Sequence, residues 1–413
     1  MKKIDADSAL LDEALKLLDS PRFFIHLLHA IEKSGLVGEK ENALVVYVVA
    51  TSRLLDHPVN LFVKGASSSG KNYLVKKVLQ FFSKTSVVEI SSSSGTSWNY
   101  QGNNLQHRIV YIQEQNKATG TVHPARLLIS ENELIRMVTV RSGSSFETKR
   151  EVTKGPVACI STTTKTRVEI DDETRHISIF IDDSPEQTRR IVEAGLNLTA
   201  GIDEHELAVW EKVQDIIARR ARLPIRLGNW SKRLADEVWT GDVRVRRYFA
   251  AFMEVCKAVC LIRSFRFPTV EVIGRGEMEV GFRDFAIASL IFETALSQSL
   301  SYVDDEDRQL HKALTQISMR KKGVGVTAQE LAPVLNISKE TAYARLRQAI
   351  RKRTVVRSNS PGRGNLKQYL PAKRIRMLPN PRDLFRKFWP GRQLKFIHPI
   401  TGEIVTYGEE EEE

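Results

Sequence analysis

An apolar run, Val59-Asn60-Leu61-Phe62-Val63-Lys64, leads directly into Gly65-Ala66-Ser67-Ser68-Ser69-Gly70-Lys71-Asn72, and a helical pattern follows from Tyr73 to Phe82. A strand, a G-x-x-x-x-G-K loop and a helix in that order point to a fold that cradles a phosphate beside a strand end. Glycine lets the backbone N–H groups curl around an anion. Lys71 reaches the β/γ oxygens, and the helix N-terminus adds a favourable dipole. The expected nucleotide contacts are Gly65, Ser67, Ser68, Ser69, Gly70, Lys71 and Asn72. The residue after such a lysine usually offers a hydroxyl to Mg²⁺. Here it is Asn72, whose amide oxygen is also able to ligate a hard cation. The expected cofactors are therefore ATP and Mg²⁺, with Asn72 as the candidate metal ligand. The alternative is a loop that binds nucleotide and hydrolyses it poorly.

Strand-like runs recur at Val87–Ile90, Arg108–Ile112, Val157–Ser161 and Ile177–Ile181, with helical stretches between. That alternation predicts an α/β fold with a parallel sheet covered on both faces. The Arg108 run ends in Gln113-Glu114, at the strand edge where ligands bind in open α/β sheets. Glu114 is assigned to activating water; the alternative is a solvated strand-end acid. Phosphate-loop ATPases place a magnesium carboxylate at this strand end, and Gln113 stands in its place. The Val157 run enters Thr162-Thr163-Thr164. One of these threonines is placed to bond a γ-phosphate or the attacking water; Thr163 is favoured, with its neighbours left open. Arg175, in Asp171-Asp172-Glu173-Thr174-Arg175-His176, either reaches a neighbouring subunit's phosphate as a finger or pairs with Asp171 or Asp172.

Together, the Gly-Ala-Ser-Ser-Ser-Gly-Lys loop, the Ile-Val-Tyr-Ile-Gln-Glu strand, the Cys-Ile-Ser-Thr-Thr-Thr strand and the Glu173–Thr188 stretch resemble an AAA+ ATPase. More narrowly, the chain resembles the helicase-like replication ATPases of bacterial mobile elements and phages, which are similar in layout to the minichromosome-maintenance helicases. The resemblance covers about residues 40–300. It implies a P-loop NTPase (AAA+) sheet with a helical lid, a hexameric ring, DNA as partner and a possible primase or replisome partner. The clustered Cys and His of a primase zinc finger are absent, so no primase activity is implied. In such proteins an arginine opening a lid helix senses the γ-phosphate. That role would fall on Arg246 in Asp242-Val243-Arg244-Val245-Arg246-Arg247, with Arg247 as the alternative. The family layout also implies a hairpin insertion, read here as Met137–Arg141, a Ser142–Ser145 turn and Phe146–Val152. Arg141 and Lys149 on it would grip a DNA backbone; the alternative is a solvent hairpin with scattered charge.

Charge adds a second line of argument. Between Lys339 and Lys395 stand 17 basic and two acidic residues, against a net charge of +12 for all 413 residues. A basic domain joined to a near-neutral one suggests a polyanion partner. Thr327 with Glu330 reads as a capping box opening a helix. Asn336-Ile337 is a turn, and Ser338 caps the next helix. A strand at Thr354–Arg357, a turn through Gly364-Asn365 and a strand at Leu366–Leu370 complete a winged-helix pattern. Its second helix would enter the major groove with Lys339, Thr341, Tyr343, Arg345 and Arg347. Arg363 and Lys367 on the wing would hold phosphates. Winged helices also mediate protein contacts. Phe385, Phe388 and Trp389 either stack on bases or pack on the wing.

Three cysteines rule out a disulfide scaffold. Cys256 and Cys260 read as core residues of a lid helix. The longest apolar run, Ala43–Ala50, is far below the ~20 residues of a bilayer span. Met1–Asp7 is followed by no signal-peptide core, and the chain reads as cytoplasmic. The expected layout is an N-terminal helical segment (1–40), the ATPase core (41–225), a helical lid (226–305), the winged helix (306–372) and a basic tail ending in five glutamates (373–413). The functional expectation is an ATP-dependent DNA motor. The alternative is a nucleotide-gated DNA-binding regulator or helicase loader.

Overall fold

The computed structural model describes residues 2–90, 105–114, 119–142, 145–165, 168–196, 201–265, 276–301, 305–351, 354–358, 367–372 and 376–408. The chain forms two compact units, one of residues 1–165, 169–296 and 377–413, the other of residues 166–168 and 297–376.

The first unit opens with three helices, α1 (Lys2–Asp19), α2 (Phe23–Lys33) and α3 (Lys40–Ser52). Every residue from Ala43 to Ser52 is buried, so α3 is apolar on all sides because it lies inside. Then come β1 (Leu61–Lys64), α4 (Lys71–Leu79), β2 (Val87–Ile90), β3 (Arg108–Ile112), α5 (Thr119–Glu131), β4 (Glu133–Ser142), β5 (Ser145–Lys154), β6 (Val157–Thr163), α6 (Ile170–Glu173), β7 (Ile177–Phe180), α7 (Pro185–Leu196) and α8 (Glu204–Arg220). The unit continues through β8 (Ile225–Leu227), α9 (Val245–Arg263), β9 (Met278–Val280) and α10 (Phe282–Leu300).

Five strands form one sheet in the order β2-β3-β6-β1-β7, every pair parallel. All seven residues of β6 and all four of β1 are buried. Burial of alternate residues alike means that both faces of the sheet are covered. The expected α/β class is therefore the observed one. β6 lies between β1 and β3, which brings the tip of β6 between the loop after β1 and the acid after β3. β4 and β5 form a separate two-stranded ribbon, in register from Glu133↔Lys154 to Ser142↔Ser145. It is longer at both ends than the sequence suggested.

The stretch expected to be all helical lid is mixed. Asn229–Asp236 is a 3₁₀ helix, and β8 pairs with β9 in parallel. Cys256 and Cys260 are buried in α9, and burial raises both thiol pKa values.

The second unit holds α11 (Asp305–Arg320), α12 (Ala328–Leu335), α13 (Lys339–Arg351), β10 (Val355–Arg357) and β11 (Tyr369–Pro371). β10 and β11 are antiparallel. The Thr327–Glu330 capping box is present, and Asn336 ends α12 in a left-handed conformation. Leu310, Leu314, Leu331, Ala342, Leu346 and Tyr369 contribute to the unit's own core.

The chain from Met377 belongs to the first unit and folds as α14 (Pro381–Phe388), β12 (Leu394–Ile397) and β13 (Ile404–Tyr407). This corrects the reading of 373–413 as a tail. Phe385, Phe388 and Trp389 stack around Phe282, at ring centroid distances of 5.5, 6.4 and 5.1 Å. The three rings pack on Phe282 within the first unit, and that packing holds the segment in place. Glu409–Glu413 lie outside the described residues. Among the described residues no helix is long and apolar enough to cross a membrane.

Candidate active site

The loop from Gly65 to Gly70 caps the carboxyl end of β1. A Cβ at position 65 would sit 2.7 Å from Ser69 Oγ and 3.5 Å from Ile181 Cβ, so a side chain there would push the Ser69 hydroxyl aside. Gly70 has φ +90° and forms the N-cap of α4, a conformation that a side chain resists. Ser67 and Ser68 are exposed, and Ser69 Oγ is buried with no hydrogen-bond partner among the described residues. Lys71 folds back across the loop and donates to the carbonyls of Gly65 (3.1 Å) and Ala66 (2.5 Å). Burial lowers its pKa, and the negative charge of Glu114 works against that shift. The loop lysine therefore feels the charge of the strand-end acid.

Glu114 follows β3 in a left-handed conformation, φ +47°. Its N–H donates to Thr162 Oγ1 at 3.0 Å. Such a backbone costs of order 1–3 kcal/mol and is enriched at functional sites. Thr162 Oγ1 in turn donates to Asn72 Oδ1 at 2.8 Å, and Tyr111 Oη donates to the same oxygen at 3.0 Å. Four segments therefore meet in one network: α4 through Asn72, β3 through Tyr111, β6 through Thr162 and the acid loop through the Glu114 backbone. Burial raises the Tyr111 pKa further, with Glu89 adding to it.

Two expectations are refined here. The threonine that meets the loop helix is Thr162. Thr163 pairs in register with Lys64, and its Oγ1 accepts from the N–H of Lys165 at 3.1 Å. Side chains alternate along a strand, so one residue decides the face. Asn72 Oδ1, the candidate magnesium ligand, accepts from both hydroxyls, so one of these bonds must give way for it to ligate a cation. Gln113, at the expected metal-carboxylate position, turns outward and donates to Glu89 of β2, which also pairs with Lys76 at 3.2 Å. Tyr111 was missed as a site residue, and Thr162 was left as one of three open threonines, because only sheet register brings them to Asn72.

The arginines gather around the segment 171–176. Arg175 Nε donates to Ser130 Oγ at 3.0 Å, and its Nη1 donates to the Asp171 carbonyl. The Asp172 carboxylate is taken by Arg126 at 2.8 Å. The partner of Arg175 is therefore the backbone of Asp171 rather than an aspartate side chain. Beneath this segment, Lys64 is buried against Glu173. Burial lowers the Lys64 pKa, and Glu173 opposes the shift. His176 stacks on Phe62 at 3.9 Å and 19°, and burial brings its pKa down to about 4. At the start of α9, Arg246 is exposed, whereas Arg247 donates to Thr174 Oγ1 and Tyr248 Oη donates to the Glu173 carbonyl at 3.2 Å. Arg244, two residues before Arg246, is spent on Asp242.

On the β4–β5 ribbon, Lys149 and Arg150 are exposed, as is Met137 opposite Arg150. The Arg141 side chain lies outside what the structure describes. In the second unit, α13 exposes Lys339, Thr341 and Arg347. Thr341 Oγ1 lies 3.0 Å from the capping Ser338 Oγ. Tyr343 packs against the unit's core, and Arg345 pairs with Glu306 of α11 at 3.1 Å. The structure adds Gln348 and Arg351 to the exposed face with Arg347, a pair that helical spacing alone offered. Lys367 is exposed; Arg363 lies outside the described residues.

No protein-family profile matches the chain, and no curated protein matches it. Among solved structures, the chain is similar to the Orc1 protein of Aeropyrum pernix in complex with DNA, at 12% identity and TM-score 0.27, covering 87% of this chain and 95% of that one. It is also similar to the apo C-terminal region of NrS-1, at 12% identity and TM-score 0.26, covering 85% of this chain and 75% of that one. Overlaps of that degree do not fix a fold, so the α/β assignment rests on the chain's own sheet and loop.

Proposed function

We propose that this chain is an AAA+-type ATPase acting on DNA, related in working to the helicase-like replication proteins of mobile elements and phages. The observation that carries the reading is the meeting of Lys71, Asn72, Glu114 and Thr162 at the carboxyl edge of the sheet. Lys71 neutralises the phosphate charge that builds up on transfer. Glu114 orients and polarises the attacking water. Thr162 ties the acid's backbone to the loop helix, so a change at one is felt at the other. Arg175 serves a neighbouring subunit, and Arg246 extends from the lid start. The ribbon cations and the exposed cations of α13 hold DNA phosphates, the latter from a winged-helix arrangement. Mg²⁺, when bound, would supply charge neutralisation at the phosphates.

Steady-state ATP hydrolysis with and without single-stranded DNA tests this. Turnover stimulated by DNA, and lowered by about 100-fold or more in Lys71→Ala and Glu114→Gln, is the expected result. One observation favours a second reading. Asn72 is engaged by two hydroxyls, and Gln113, where a metal carboxylate is expected, is turned to Glu89. A nucleotide-gated DNA-binding regulator or loader would then bind ATP without appreciable turnover in the wild type, and that outcome replaces the motor.

A further inference from the structure

Away from the sheet edge, the first unit contains a cavity of about 340 Å³. The α1–α2 junction, the end of α9, the start of α10 and the β12–β13 hairpin enclose it. Its floor includes Leu18, Phe24, Ile262, Ile287 and Phe396, all buried. Its lip is different. Ile404 is 71% exposed there, and the cations Arg22 and Lys395 are exposed beside it. Arg263 and Arg283 also line the cavity, and no acid does. Arg263 is neutralised by Asp284. Arg22 and Lys395 have no acidic partner among the described residues. The hairpin turn closes on this rim: a Cβ at Gly402 would lie 3.5 Å from Ile25 and 3.9 Å from Arg22 Nη1. His398 adds one oriented donor. Its Nδ1 accepts from the N–H groups of Ile400 and Thr401, both at 3.2 Å, which leaves the ring proton on Nε2.

We propose that this cavity docks a short acidic segment of a partner protein, carrying one or two large apolar side chains as its anchor. Depth and charge are separated in the site, and the occupant must be separated likewise. At 340 Å³ the space is at the small end of ligand pockets and takes side chains rather than a helix. An apolar anchor gains by leaving water there. Carboxylates beside the anchor stay at the lip, where Arg22 and Lys395 meet them without the cost of burying charge. A polyphosphate backbone offers the rim its charge and the floor nothing.

The test uses the full chain and a fluorescein-labelled hexapeptide of four aspartates followed by Leu-Phe, read by anisotropy. Saturable binding with a Kd on the order of 1–100 μM is expected. Replacing Leu-Phe by Ala-Ala in the peptide, or introducing Arg22→Glu with Lys395→Glu, should each weaken it by about tenfold or more. Ile404→Asp, at an exposed site that folding tolerates, should do the same, while Lys71→Ala should leave peptide binding unchanged. Absence of saturable binding overturns the proposal. So does equal affinity for the rim variants. A labelled oligothymidylate that loses affinity on the rim variants, while the peptide does not, makes the patch a nucleic-acid surface and also overturns it.

Discussion

Asn72 Oδ1 receives one proton from Thr162 and one from Tyr111, and the Thr162 oxygen receives the Glu114 N–H. Removing the Thr162 hydroxyl leaves a part-buried amide oxygen short of a donor and a backbone N–H without its acceptor. Such orphans cost about 1–3 kcal/mol. Thr162→Val should therefore lower the unfolding midpoint and also lower turnover, because the acid loses the tie that fixes its backbone. Thr163→Val changes the other face of β6 and should spare turnover by comparison. Paired denaturation and turnover measurements on both variants decide it; equal loss of turnover would undo the assignment. A second residue sets a pH dependence. His176 titrates at about 4 in the folded chain, because burial disfavours its charge, and near 6.5 unfolded. Between those values the unfolded chain holds the extra proton, so stability rises with pH through this window. The contribution is complete above pH 6.5 and falls away towards pH 4, by about 3 kcal/mol at most. All five tryptophans lie outside the second unit, so their fluorescence follows the first unit alone. Urea midpoints read that way should fall between pH 6.5 and 4.5, and His176→Asn should remove that part of the slope.

At the scale of elements, α13 sorts its own cations. Arg347 is exposed, whereas Arg345 is spent on Glu306. A phosphate contact by Arg347 releases about one counterion. Arg347→Ala should weaken DNA binding and reduce the slope of log K against log salt by about 0.9, while Arg345→Ala should leave the slope nearly unchanged. Fluorescence titrations at several salt concentrations distinguish the two. The same contrast shows what was legible beforehand. The phosphate loop, the capping box at Thr327 and the β4–β5 ribbon are set by residues close in sequence, and each was readable. The sheet class was readable from buried runs alternating with helices. Thr162 was not, because the choice between adjacent threonines depends on the register of β6 against β1 and β3, pairings of residues about a hundred and about fifty apart. The Asn72 bonds were hidden for the same reason. The segment after Met377 was masked by composition: its basic residues and prolines read as a tail, while Phe385, Phe388 and Trp389 carry the packing.

For the whole molecule, the central question is whether the site is complete within one chain. Arg175 lies on a segment held from below by the buried Lys64–Glu173 pair and by Tyr248 on the Glu173 carbonyl, and Arg247 reaches that segment from α9. Both make hydrogen bonds in their own chain, Arg175 to Ser130 of α5 and to the Asp171 carbonyl, Arg247 to Thr174. If Arg175 completes a neighbour's site, these bonds are the resting state, and removing the guanidinium damages the neighbour's reaction and not its own chain's binding of ATP. Mixing then separates the roles. Arg175→Ala alone should bind ATP normally and turn it over poorly, by about 10³-fold or more if it acts as a finger. Lys71→Ala alone should fail to bind. Combined, they create interfaces in which an intact loop from one chain faces an intact arginine from the other, and turnover should reappear at a fraction of the wild-type rate. Wild-type turnover per chain should also rise with protein concentration as subunits associate. No recovery on mixing, together with turnover independent of concentration, would place Arg175 in a structural role within its own chain and leave the site to a single subunit.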